Sequence, residues 1–191
     1  MPTPASTMTV SPEAFTAACR QHPAGVAFLT ASVGGVHAAM TVSSLSSVSV
    51  DPPLLVYSVS DRSSSAGVFN ETDTVVIHML DSESLWLAKL GATSGIDRFA
   101  NQEKWAVLPT GEPYFPGPRS IIRARVAERV RVGTSTVCIV EAVELIAPQD
   151  EVPPARPLVY HNRTWHCLDS ASIAREMTWL TSLGLTDDLE L

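Results

Sequence analysis

The sequence predicts a mainly β protein: an antiparallel sheet, closed or nearly closed into a small barrel, with a few helices packed on it. Three observations carry this. Runs rich in Val, Ile, Thr and Tyr recur along the chain between turn signals. Neighbouring runs are linked by short glycine-containing connections such as Gly34-Gly35 and Gly133-Thr134-Ser135, which suit hairpins and not the long crossovers of parallel sheets. Strand candidates also outnumber helix candidates.

The elements follow in order. Residues 11–20 form a helix in which Ser11 caps, Pro12 takes the first helical position and Glu13 sits at the positive end. It stops near His22, because Pro23 restricts the residue before it. Residues 26–32 (VAFLTAS) read as a strand, and Gly34-Gly35 turns it into a return run over 36–50 that Asp51-Pro52-Pro53 ends. Residues 54–60 (LLVYSVS) form a largely buried strand, and 61–70 a loop with one turn of helix at most. Another strand covers 73–80. Residues 82–90 read as a helix capped by Ser82, with Leu85, Ala88 and Leu90 inward. Residues 109–118 hold too much Pro and Gly to be regular. Two long strands, 121–132 and 136–146, then form a hairpin, a last strand spans 157–168, and an amphipathic helix covers 173–183.

A chain of 191 residues favours one domain. Residues 1–10 are expected to be a loose tail, 11–169 the domain and 170–191 a helical extension. With 45% hydrophobic and 17% charged residues the chain is no disordered polymer. Its net charge of −7 argues against a groove for nucleic acid, which needs clustered cations. No apolar run approaches the roughly 20 residues that cross a membrane. The opening MPTPASTMTV lacks the pattern of a secretion signal, and Cys19, Cys138 and Cys167 lack CxxC spacing. Reduced core thiols and a cytoplasmic location are expected.

The usual catalytic signatures are missing. There is no GxGxxG, P-loop, HExxH or G-x-S-x-G. No metal site is expected, since the five histidines lack ligand spacing. His161 and His166, five apart in one predicted strand, should face opposite sides. An enzyme built this way would draw its reactivity from a cofactor, with no catalytic side chain of its own.

Two segments stand out. TVSSLSSVS (residues 41–49) carries six hydroxyl side chains in nine residues. As one strand it sets Val42, Val48 and Val50 on one face and Thr41, Ser43, Ser47 and Ser49 on the other. Such a row of small hydroxyls lets a flat ligand approach the backbone and offers donors to carbonyl or phosphate oxygens. The second segment, Ser60-Asp61-Arg62-Ser63-Ser64-Ser65, is a candidate phosphate cup built on a guanidinium among hydroxyls. The plain alternative is that both are loops and edges.

The order HPAGVAFLTA, AMTVSSLSSVSVDPPLLVYSVS, VVIHML, DRF…W and PLVYH closely resembles the flavin reductase-like domain family, with TVSS-x-x-SVS-x-DPPL its most specific block. The resemblance implies a split β-barrel that binds FMN or FAD, forms a homodimer, and passes a hydride from NADH or NADPH to the flavin. Reduced flavin would then diffuse to a separate flavin-dependent monooxygenase. Carried over residue by residue, Thr41, Val42, Ser43 and Ser44 lie along the isoalloxazine, and Ser46 and Ser47 reach the ribityl chain or phosphate. Ser58, Arg62, Ser63, Ser64 and Ser65 complete the phosphate side, and Arg98 and Phe99 lie near the flavin. His161 is placed on the nicotinamide side, and His22 near the nucleotide. The chain departs from the family where relatives carry Gly-Asp-His, reading Gly133-Thr134-Ser135 instead, and it lacks the family's cysteine in the preceding strand. A non-catalytic flavin- or nucleotide-binding barrel, or an oxidase-type split barrel with a non-nicotinamide substrate, are the competing readings.

Overall fold

The computed structural model describes residues 9–146 and 156–172. In chain order it contains helix α1 (Pro12–Arg20), strands β1 (Ala24–Gly25), β2 (Ala27–Val33), β3 (Val36–Val42), β4 (Ser46–Ser49) and β5 (Leu54–Ser60), helix α2 (Ala66–Glu71), strand β6 (Thr74–Met79) and helix α3 (Leu85–Ala92). Strands β7 (Ala106–Val107), β8 (Pro113–Tyr114), β9 (Ser120–Val132), β10 (Ser135–Ile146), β11 (Leu158–His161) and β12 (Thr164–Cys167) follow. The expected helix over 173–183 and most of the expected tail lie outside the described residues. Among the described residues no helix is long and apolar enough to cross a membrane.

Seven strands form one antiparallel sheet in the order β3-β2-β6-β9-β10-β5-β4. Laid flat, its outer strands would stand about 29 Å apart at the usual strand spacing. Yet only Ser43, Ser44 and Leu45 connect β3 at one edge to β4 at the other, and so short a link reaches about 14 Å at most. The sheet must therefore curl until its edges meet. They meet at a seam without a ladder, where the Ser58 N–H donates to Ser44 Oγ at 3.1 Å. This is the expected barrel, split along one line. A small sheet, β1-β11-β12, packs beside it.

Alternation sorts the side chains. Ala27, Leu29 and Ala31 of β2, Ala38, Met40 and Val42 of β3, and Tyr57, Ile77, Ala124 and Cys138 fill the barrel interior. The opposite faces of β2 and β3 present Phe28 and Ala39 to a second cluster with Leu87, Ala88, Phe115 and Leu158. His78 joins this outer layer. Buried completely, it accepts from the Phe115 N–H at Nε2 and donates from Nδ1 to the Phe28 carbonyl, each at 2.9 Å. Burial pushes its pKa down to about 4, so the ring stays neutral at physiological pH.

Helix α1 begins as expected: Ser11 Oγ accepts from the Ala14 N–H at 3.2 Å, and Pro12 opens the helix. Four expectations change. The run over 36–50 is two strands, because the chain bends at Ser43 to cross the seam, so its hydroxyls form no single row. Residues 157–168 form a hairpin, turning at Asn162 and Arg163, whose φ angles are +46° and +63°. The turn sets His161 and His166 on one face, their ring centroids 5.9 Å apart. Asp81, not Ser82, caps the entry to α3, accepting from the Glu83 and Ser84 N–H groups at 3.0 Å, and the buried face of α3 is Leu87, Ala88 and Gly91. Of the three thiols only Cys138 is in the core; Cys19 and Cys167 are exposed.

Candidate functional site

Edge strand β3 has backbone N–H and C=O groups that point away from β2 and find no strand partner. Helix α3 lies across its outer face. Thr41 Oγ1 donates to the Ala88 carbonyl at 2.9 Å, and Gly91 lets the two backbones touch: a Cβ there would stand 2.7 Å from the Thr41 nitrogen. Between the end of β3, the α3 C-terminus and the loop after β5 opens a cleft of about 480 Å³, within the usual range for a ligand site.

Nine of the thirteen residues expected to touch flavin line this cleft. Thr41, Val42, Ser43 and Ser44 form its floor, Ser58, Arg62, Ser63 and Ser64 one wall, and Arg98 another. Met40, Ser60, Gly91, Ala92 and Ser94 complete it. Among the described residues the lining holds two guanidinium groups and no carboxylate, in a chain of net charge −7. Asp61, the acid in the adjacent loop, is held by Arg131 of β9 through a bidentate pair, one arm 2.6 Å long, so it does not neutralise Arg62. Arg98 Nη2 donates to the Thr93 carbonyl at 2.8 Å, while its buried Nε has no acceptor. Open hydroxyls, an unmet guanidinium donor and a free backbone edge suit the phosphate and heteroaromatic carbonyls of a flavin mononucleotide.

The other expected residues lie elsewhere. Ser46 and Ser47 line a different, apolar cavity of about 340 Å³, with Leu45, Leu55 and Met79. Ser65 is buried, and its hydroxyl is committed to the Ala39 carbonyl at 2.8 Å. Phe99 belongs to an aromatic cluster with His37, Trp105 and Phe115 that seats the Arg98 loop. His22 sits in a neighbouring cavity near the end of α1. His161 is on the hairpin face opposite to that of Tyr160, and it is Tyr160 and Trp165 that line a small extension of the cleft with Thr41, Val42 and Ser43. Their rings lie 4.5 Å apart. Sequence reading missed this pair because a hairpin without glycine at its turn carries no hairpin signal. Among the described residues no group of three or more His, Cys, Asp or Glu side chains is placed to hold a metal.

A sequence model of the flavin reductase like domain matches residues 19–168. The NADH:FMN oxidoreductase of Rhodococcus erythropolis is 37% identical over 152 residues, covering 80% of this chain and 79% of that protein. The NADH:riboflavin 5′-phosphate oxidoreductase of Streptomyces pristinaespiralis is 30% identical over 158 residues, 82% of this chain and 88% of that one. Among solved structures, a flavin reductase domain protein from Arthrobacter sp. FB24 superimposes with a TM-score of 0.77 at 25% identity, over 86% of this chain and 99% of that one.

Proposed function

The chain belongs to the flavin reductase-like domain family, and from that premise we propose that the cleft beside β3 binds FMN or FAD and that reduced flavin leaves it for a separate oxygenase. The protein is an NAD(P)H-dependent flavin reductase, with NADH as the donor used by its named relatives. The observation that carries the assignment of the site is the acid-free, doubly cationic lining at an open strand edge.

Bound flavin supplies the redox chemistry, accepting a hydride from a dihydronicotinamide. The chain's part is orientation and electrostatics. Thr41, Val42, Ser43 and Ser44 offer backbone donors to the ring's polar edge, which favours the charge that builds up on reduction. Arg62, Ser63 and Ser64 hold the phosphate, and Arg98 adds a second cation. Tyr160 and Trp165 cover the adjoining face and keep water from it. Hydride transfer needs no proton from a side chain, which fits a cleft without acid or base. We extend the reading to a cytoplasmic homodimer. The exposed thiols of Cys19 and Cys167 suit a reducing compartment, and exposed Val143 and Leu145 on β10 offer an apolar surface.

The deciding assay is aerobic oxidation of NADH and NADPH by purified protein with FMN, FAD or no added flavin. Flavin-dependent turnover is expected; flavin binding without turnover would leave a binding module. Arg62→Ala is expected to raise the flavin KM about tenfold with kcat within threefold, the size of one charge-assisted bond. Ser47→Ala, in the apolar cavity and not in the cleft, should leave the flavin KM within twofold. Equal effects from both substitutions would move the flavin out of this cleft.

A further inference from the structure

A third cavity, of about 220 Å³, continues the track beyond the flavin cleft. Ser43 lines all three spaces, and Tyr160 lines both this cavity and the aromatic extension. The track thus runs from Arg62 and Arg98 past Tyr160 to Arg20, His22 and Arg163. Arg20 ends α1 and Arg163 sits in the turn between β11 and β12; the Asn162 N–H donates to the Arg20 carbonyl at 3.0 Å, which holds these distant segments together. Among the described residues no carboxylate lines this cavity and neither arginine is in an ion pair.

The turn itself is informative. A two-residue hairpin loop with positive φ at both positions strongly favours Asn followed by Gly. This chain supplies the Asn, but at φ +63° it places an arginine where glycine would be unstrained. Folding alone would not favour that choice, whereas a ligand in need of a cation at this point explains it.

We infer that Arg20 and Arg163 form a clamp for the diphosphate of an adenine dinucleotide. The dihydronicotinamide donor is the ligand expected there, so to that extent the inference rests on the reductase reading. FAD carries the same diphosphate, and the test separates the two. Clamping the diphosphate gives affinity at a distance from the reacting ring, which leaves the flavin cleft free of charges dedicated to the donor.

The variants are Arg20→Ala, Arg163→Asn and Arg163→Gly; Asn and Gly both accept a positive φ, so the turn survives. Calorimetric titration of flavin-free protein with ADP-ribose, which carries the diphosphate but no redox group, should show about tenfold weaker binding in each variant. With FMN present, the ratio of the KM for NADH to that for dihydronicotinamide riboside, which has no phosphate, should rise about tenfold. Arg163→Gly should lose affinity while its Tm rises by about 2–4 °C, since glycine relieves the strain of the positive φ. If only the KM for FAD rises, with the riboside as donor, the clamp stands and the diphosphate is that of FAD. Unchanged ADP-ribose affinity, an unchanged KM ratio and an unchanged KM for FAD would together overturn the clamp and leave the reductase reading intact. ADP-ribose binding that depends on both arginines, in a protein that oxidises neither donor, would keep the clamp and sink the reductase.

Discussion

His78→Leu is expected to cost about 3 kcal/mol of stability, although leucine is close to histidine in size. The loss is not one of volume. The ring joins two backbone groups buried with it, accepting from the Phe115 N–H and donating to the Phe28 carbonyl. Leucine leaves both unpaired where water does not reach, and each orphan costs about 1–3 kcal/mol. Edge contacts of the ring with Phe28, at 5.6 Å, and with Phe115, at 6.3 Å, are altered as well. The penalty should depend on pH. The native ring titrates at about 4, whereas an unfolded histidine titrates near 6.5. Between these values the unfolded chain binds the extra proton, so the wild type loses about 1.4 kcal/mol per pH unit as the pH falls through this window. The variant has no such group, so the gap between the two proteins should narrow from about 3 kcal/mol at pH 7 to about 1 kcal/mol at pH 5. Urea unfolding at both pH values measures it. A gap that stays constant would mean that the folded ring takes up its proton as readily as the unfolded one.

Gly91→Ala should damage stability and flavin binding together. A methyl group there would stand 2.7 Å from the Thr41 nitrogen and 2.8 Å from Phe28 Cδ2, and a strand backbone cannot yield as a side chain can. Helix α3 must move off β3, at a cost of about 3 kcal/mol, the upper end for an overpacked contact. At this chain length that lowers Tm by roughly 6–12 °C. The shift also displaces Ala92 and Ser94 from the cleft wall and stretches the bond from Thr41 to Ala88, so the flavin KM should rise at least tenfold. Gly67→Ala in α2 is the control. Nothing lies within 4 Å of the added methyl, and alanine favours a helix interior, so this variant should be slightly more stable and bind flavin normally. A native-like Gly91→Ala protein would show that α3 does not set the shape of the cleft.

The barrel was legible in the chain because its signals are local: β-rich runs, paired glycines, and Pro52-Pro53 after a serine-rich strand. The same holds for the floor and one wall of the cleft, which lie within two consecutive segments around Thr41 and Arg62. Contacts that depend on distant pairing were not legible. Nothing near Ala24 or Gly25 announces their ladder with Tyr160 and Val159, which helps bring α1 and the last hairpin to the cleft. The bend at Ser43 was hidden for a related reason. Hydroxyl residues suit an edge strand as well as a loop, and only the need to span the seam breaks the run in two. Reading 157–168 as one strand then reversed the side on which His161 falls relative to Trp165 and His166.

The alternation along β3 divides its residues between two tasks. Ala38, Met40 and Val42 have their side chains in the barrel core, whereas Ala39 and Thr41 face α3 and the open edge offers backbone groups that every residue type shares. A lineage carrying this fold can therefore exchange side chains around the cleft, and with them its preferred flavin or donor, without repacking the interior. Change of specificity and retention of the fold draw on different positions, and Thr41, in contact with both helix and ligand cleft, is where selection on one is felt by the other.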